Sequence, residues 1–177
     1  MFLYHYYEKA LGPFRSLSSL PKKEAEGVLS YIRKIRPHTM AAARDEEYME
    51  RRLAYEKTAY DLFVSRGGKP ERTSPHYMVA ETCPWLASWY QEGEFDLKTL
   101  SFTYGDMHPT FSPRVNDGKE YRKKIYFYTE ILELIQKYGL PQQWNAEGLY
   151  GPERYIEAQV WSDRSVSRYL KDFKSGL

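Results

Sequence analysis

The sequence has one cysteine, Cys83, in 177 residues. A single thiol excludes an internal disulfide. It also excludes a multi-thiolate metal site or an iron–sulfur cluster, because these need several sulfur ligands at one point. So little cysteine is typical of proteins in a reducing compartment, and we expect a cytoplasmic location.

Long apolar runs are also missing from the sequence. The runs stop after four residues, whereas a helix that spans a bilayer needs about 20, so we expect no membrane segment. The N-terminus, from Met1 to Lys9, has no basic n-region, no continuous apolar region and no small-residue cleavage site. It therefore does not predict a secretory signal.

Aliphatic residues are scarce, and aromatic residues are abundant. Leu, Ile, Val and Phe make up about 20% of the chain, which is near the lower limit for folded proteins. The 26 basic and 24 acidic residues nearly cancel, which disfavours both disorder and nucleic-acid binding. We therefore expect the 17 Tyr, 8 Phe and 4 Trp to supply much of the core of one domain spanning 1–177.

The part of the chain from about 21 to 67 has helical periodicity. Apolar residues recur at helical spacing after Pro21 and predict a helix that ends near Arg36, just before a proline. Thr39 is the predicted cap of a second helix, which runs to the end of this part. The charged run 44–52 within the second helix is interpreted as a solvated face.

The part from about 75 to 162 is rich in predicted strands, because its apolar residues alternate with a period of two. Strands are predicted at 76–81, 100–104, 121–128 and 155–161, with an edge strand at 2–7. Helices are predicted at 84–93, 129–138 and 165–173. These elements predict an α+β fold, with a small mixed or mostly antiparallel sheet of four to five strands and helices packed on one face.

The segment from Gly105 to Arg122 has no periodic pattern and is longer than most structureless loops, so it is a candidate binding segment. Its basic residues and two aromatic residues of the last strand form the predicted ligand-binding set: Arg114, Lys119, Arg122, Tyr155 and Trp161. Guanidinium and ammonium groups bind phosphates and carboxylates. The alternative is structural, with a turn that closes a hairpin and Arg114 paired to a nearby carboxylate.

Tyr155 and Trp161 share one side of the last predicted strand with Glu157 and Gln159. A polar sheet face with aromatic residues can stack nucleic-acid bases. It can equally be covered by loops or serve as an interface with a partner protein. Because the chain is nearly neutral, RNA is the least favoured of these occupants.

Three residues are candidates for catalysis: Asp106, His108 and Cys83. Asp106 and His108 lie two positions apart and could act as acid–base groups. Cys83 precedes Pro84 at a predicted helix start, where backbone N–H groups lower the pKa of a thiol. The alternatives are a turn carboxylate, a surface imidazole and a buried apolar thiol.

The sequence contains no familiar metal-binding spacing of its four histidines, no phosphate-binding glycine loop and no dinucleotide motif, so we expect no metal site and no cofactor. Our leading hypothesis is a binding or interaction module. It would recognise an anionic small molecule or a protein partner through the polar sheet face and the 105–122 segment. The alternative is a small hydrolase or transferase that uses Asp106 and His108 as acid–base groups, with Cys83 as a less favoured nucleophile. The sequence does not decide whether the protein is an enzyme or how many subunits it has.

Overall fold

The computed structural model describes residues 1–8, 13–87, 95–100, 107–110, 124–150, 154–164, 166 and 167, and for 8, 95–100 and 107–110 it describes the backbone alone. The helices are α1 (Lys22–Ile35), α2 (Tyr48–Ser65), α3 (Pro84–Ala87), α4 (Tyr128–Tyr138) and α5 (Pro141–Trp144). The strands are β1 (Leu3–Glu8), β2 (His76–Ala80), β3 (Phe95–Leu100), β4 (Met107–Thr110) and β5 (Glu157–Val160). The predicted mixture of helices and sheet is confirmed.

The strands pair in the order β3-β1-β2-β5-β4, and every pairing is antiparallel. Side chains are described for the three central strands, β1, β2 and β5. Leu3 lies opposite Ala80, and Met78 lies opposite Ala158. The N-terminal strand was predicted at an edge, and this is wrong, since β1 has β2 on one side and β3 on the other.

The two faces of the central strands have different chemistry. We define the apolar face as Leu3, Met78, Ala80, Ala158 and Val160, which share one core cluster with Ile131 of α4. We define the polar face as the intervening residues Tyr77, Glu157 and Gln159. This alternation follows from the period of two along each strand.

Helices pack against both faces of the sheet. Helix α4 covers the apolar face through Ile131. Helix α2 lies over the polar face, where Glu56 accepts a hydrogen bond from Tyr77. The prediction that helices pack on one face only is therefore wrong, because the polar face also carries groups that a helix can cover.

Helix α1 follows the prediction closely. It begins after Pro21 and ends at Ile35, and its buried residues Ala25 and Leu29 pack against Met49 of α2. Burial of this apolar stripe orients α1 against the start of α2.

Helix α2 begins at Tyr48, nine residues after its predicted cap. The Thr39 hydroxyl does form cap-like bonds, since it donates to the Arg36 carbonyl at 2.9 Å and accepts from the Ala42 amide at 3.2 Å. These bonds close a turn, and the chain from 37 to 43 continues in turns and a bend. A local capping residue therefore did not locate the helix start.

The predicted strand 121–128 is not a strand at 124–127, and its first three residues lie outside the described part of the chain. Helix α4 begins at Tyr128, where the Glu130 carboxylate accepts the Phe127 amide at 2.7 Å. The sequence predicts this helix at 129–138, so the observed start lies one residue earlier. Within the predicted loop, 107–110 forms β4, which pairs with β5.

Candidate functional site

A wide cleft lies between α1, α2 and the polar face of the sheet, and its volume is about 2000 Å³. A pocket for one small molecule typically has a volume of roughly 300–1,000 Å³. A single small ligand would therefore occupy only part of the cleft. The polar face and the inward side of α2 form its floor.

Arg52 extends from α2 into this floor, and 17% of its side chain is exposed. Its Nε donates to the Glu56 carboxylate at 2.9 Å and to Ser18 Oγ at 2.6 Å. Its two terminal nitrogens donate to the Tyr48 hydroxyl at 2.8 Å and to Ser16 Oγ at 3.0 Å. A guanidinium bound on all three nitrogens has a fixed orientation.

Glu56 is the acid at the centre of this network, and it is only 3% exposed. Its Oε1 accepts hydrogen bonds from Arg52, from Ser18 and, at 2.5 Å, from the Tyr77 hydroxyl. Burial raises the pKa of Tyr77, so the hydroxyl keeps its proton and donates. Burial alone would lower the pKa of Arg52, but Tyr77, Tyr48 and Glu56 outweigh it and hold that pKa above its ordinary value. The floor therefore contains a fixed ion pair.

Glu157 and Gln159 of β5 lie beside this pair. Gln159 Nε2 donates to Glu157 Oε1 at 3.0 Å, and Gln159 Oε1 is buried with no partner among the described residues. Removal from water raises the pKa of Glu157; proximity to Glu56 adds to the shift, and Gln159 and Arg52 oppose it. Glu157 therefore binds a proton more readily than an exposed glutamate does.

The walls of the cleft are basic overall. Among the described residues that line it, eight are Arg or Lys and four are Asp or Glu, whereas the whole chain has a net charge of only +2. Two of the basic residues pair with acids of the same lining, Arg51 with Asp45 and Arg52 with Glu56. The remaining basic residues are Arg15, Arg36, Arg44, Arg72, Lys124 and Arg154.

The two aromatic residues of the predicted binding set have different positions. Tyr155 is half-buried, lines the cleft and lies with its ring centre 6.2 Å from that of Trp85. Trp161 is 1% exposed and packs against Ala59 and Phe63 of α2. Trp161 is therefore a core residue in this structure, because α2 covers the side of β5 that was expected to face a ligand.

The basic members of the predicted set, Arg114, Lys119 and Arg122, lie outside the described residues, as does the catalytic candidate Asp106. His108 lies in β4, opposite Gln159, where the backbone alone is described. Among the predicted residues whose side chains the structure describes, Tyr155 lines the cleft, whereas Trp161 and Cys83 do not.

Cys83 is fully buried, with Val79 and Leu86 in its cluster. Burial raises the pKa of the Cys83 thiol, although the nearby backbone amides of Leu86 and Trp85 act in the opposite direction. The expected helix N-terminus is present, but its effect is smaller than that of burial. This environment disfavours the thiolate that a nucleophile requires.

A second buried polar network lies on the other face of β2, at the residue before Tyr77. His76, which is 2% exposed, lies with its Nε2 2.9 Å from the Asp163 carboxylate. Arg72 also bonds to Asp163 and donates to the Ser74 carbonyl at 2.9 Å and to Ser19 Oγ at 3.1 Å. This network joins the loop before β2 to the segment after β5, and we assign it a structural role.

The buried polar side of α2 differs from the sequence prediction, which interprets the charged run 44–52 as a solvated face. Arg52 and Glu56 are spaced at four residues and continue in register with the buried Ala59 and Phe63. This spacing places all four residues on one helix face. The signal was available, but charge alone led to the opposite interpretation.

Within the described residues, no three His, Cys, Asp or Glu side chains come together in a group that could hold a metal. The helices in that same part of the chain include none that is long and apolar enough to cross a membrane. No protein-family model, curated protein or solved structure matches the chain.

Proposed function

We propose that the protein is a binding module that holds a small anionic molecule in the cleft between α1, α2 and the polar face. The excess of basic side chains around the cleft carries this proposal. Charge of one sign collected in a concave site attracts ligands of the opposite sign, because the walls exclude water and concentrate the field.

The floor of the cleft is also compatible with an anionic ligand. The Arg52–Glu56 pair is internally neutral, so it adds no net charge that would oppose an anion. Guanidinium and ammonium groups such as those of Arg44 and Lys124 form strong hydrogen bonds with phosphate and carboxylate oxygens.

We retain the anionic small molecule of the sequence-based hypothesis and place its binding site mainly on a different element of the chain. The polar sheet face remains part of the site, and α2 replaces the 105–122 segment as the element that supplies the described contacts. A protein partner remains an alternative occupant of the same face. No observation on the described residues favours a hydrolase or transferase.

The test is a titration followed by NMR, with inorganic phosphate, citrate and phenyl phosphate added to the ¹⁵N-labelled protein at millimolar concentration. We expect the amides of Arg44 and Tyr48 to shift with at least one of these anions. Loss of one basic side chain should weaken that binding about tenfold. The variants are Arg44→Gln and Lys124→Gln.

The matched control is Lys34→Gln, which removes an exposed positive charge of α1 outside the cleft lining. It should bind the anion as the wild type does. The proposal fails if no anion shifts amides of the cleft, or if Lys34→Gln weakens binding as much as the two cleft variants do.

A further inference from the structure

Large apolar side chains are exposed on the walls of the cleft. Tyr31 of α1 is 53% exposed, Met40 is 51% exposed and Tyr55 of α2 is 72% exposed, and all three line the cleft. Val28 and Ile32 of α1 extend this lining with half-buried aliphatic side chains. A group of exposed apolar residues in a concave site is a mark of binding, whereas scattered ones are ordinary.

This exposure stands out because the chain has few aliphatic residues for its core. Tyr offers a flat apolar ring with few rotatable bonds, and Met offers a flexible thioether that adapts to different shapes. Such side chains can hold an apolar body without a precise fit. The walls therefore combine two chemistries, basic groups and adaptable apolar groups.

We infer that the anion bound in the cleft is amphiphilic, with one anionic group attached to an alkyl chain or aromatic body. This inference rests on the proposed function and adds the chemical class of the ligand. The anionic group meets basic residues such as Arg44, whose guanidinium carbon lies 4.4 Å from the centre of the Tyr48 ring. The apolar body contacts Tyr31, Met40 and Tyr55.

The cleft fits a single free molecule better than a second copy of the chain. A symmetric dimer would place the same basic walls against each other, and the excess positive charge would repel. A flat bilayer surface would contact the rim of the cleft, whereas the ion pair and polar groups of the floor lie inside it. A volume of about 2000 Å³ accommodates a chain of several carbons together with its charged group.

The test compares the binding of three ligands by isothermal titration calorimetry. Decyl phosphate has an alkyl chain and an anionic group, inorganic phosphate has the anionic group alone, and decyl maltoside has the alkyl chain with an uncharged headgroup. The two detergents are kept below their critical micelle concentrations. Decyl phosphate should bind at least tenfold more tightly than either of the others. Tyr31→Ser combined with Tyr55→Ser should weaken decyl phosphate binding about tenfold and leave phosphate binding unchanged.

Leu53→Ser is the matched control, because Leu53 is 46% exposed on α2 and lies outside the cleft lining. It should bind decyl phosphate as the wild type does, and circular dichroism should show that all variants are folded. If decyl phosphate binds no better than phosphate, the amphiphilic class is wrong and the proposed anion site stands. If neither phosphate compound binds, both proposals fail.

Two further outcomes overturn the inference. Equal binding of decyl maltoside would show that the anionic group contributes nothing, which also removes the proposed function. Binding of vesicles of mixed anionic and neutral lipid, without binding of monomeric decyl phosphate, would identify a membrane surface as the partner in place of a free molecule.

Discussion

Arg51 and Arg52 are neighbours in α2, yet their side chains lie in opposite environments. Arg51 is 45% exposed and binds the Asp45 carboxylate with two hydrogen bonds, at 2.7 and 2.8 Å. Arg52 is 17% exposed and binds Glu56, which is almost completely buried. The two pairs have the same chemical groups and similar distances, so burial is the main difference between them.

The difference shows why the distances within an ion pair do not reveal how much the pair contributes to stability. In water, the attraction between two charges is weakened by solvent, and holding long side chains in place costs entropy. In the interior, both charges have already lost their hydration, so that either one becomes costly when its partner is removed. We therefore expect the inward and outward sides of α2 to respond very differently to equivalent substitutions.

The largest effect is expected from Glu56→Gln. This substitution keeps the shape of the side chain and removes its charge, which leaves the buried Arg52 guanidinium without its counter-ion. Breaking a buried pair in this way typically costs about 3–5 kcal/mol of unfolding free energy. Urea denaturation followed by circular dichroism measures the change.

The control for Glu56→Gln is the double substitution Arg52→Met with Glu56→Leu. Replacing both charges with apolar side chains leaves no unpaired charge, so the double variant should be more stable than Glu56→Gln. A loss below about 1 kcal/mol for Glu56→Gln would show that the pair behaves like a surface pair.

A smaller effect on the inward side is expected from Tyr77→Phe. The Tyr77 hydroxyl donates to Glu56 at 2.5 Å, and its removal takes one donor from a buried carboxylate. A hydrogen bond to a charged group typically contributes about 1.5–3 kcal/mol. Tyr55→Phe is the control, because Tyr55 is 72% exposed; urea denaturation should show no loss for this variant. Equal losses of unfolding free energy in Tyr77→Phe and Tyr55→Phe would contradict a stabilising hydrogen bond from Tyr77 to Glu56.

The contrast within α2 also explains how far the sequence could predict the fold. Periodicity placed β2, β5, α1 and α4 close to their observed positions, because their apolar residues lie on one face and the pattern repeats. The start of α2 was wrong, since a threonine that forms cap-like bonds can close a turn as readily as a helix.

The site was harder to predict than the elements. Arg52 and Glu56 look like solvent-exposed residues in sequence, and only their register with Ala59 and Phe63 places them inward. Their partners Ser18 and Tyr77 are more than 20 positions from Glu56 or Arg52, so that tertiary contacts decide the network. Burial of Trp161 likewise depends on where α2 lies, which the pattern of β5 does not contain.

The difference between buried and exposed groups also predicts that stability depends on pH, because burial favours the neutral form of His76. Burial lowers the pKa of His76 and Arg72 lowers it further, while the Asp163 carboxylate opposes them. Between that pKa and the ordinary value of about 6.5, the unfolded chain binds a proton that the folded chain does not. The unfolding free energy should therefore fall as pH drops below about 6.5, by at most ~1.4 kcal/mol per pH unit.

The variant that isolates this effect is His76→Gln, compared with the wild type by urea denaturation from pH 5 to pH 8. The raised pKa of Glu157 gives a pH dependence of opposite sign, but it is present in both proteins and cancels in their difference. If the difference between the two proteins is independent of pH, His76 does not change its charge on unfolding.

The smallest effect is expected from Arg51→Gln on the outward side of α2. The bond to Asp45 raises the pKa of Arg51 and lowers the pKa of Asp45, so the two groups do interact. Both side chains are about half exposed, however, and each regains water when the other is removed. The urea midpoint of Arg51→Gln should match that of the wild type. Added salt should leave this midpoint unchanged, because solvent already screens the pair.

Arg52→Gln, measured beside Arg51→Gln, should unfold at a clearly lower urea concentration. Similar midpoints for these two adjacent variants would mean that burial does not separate the two sides of α2.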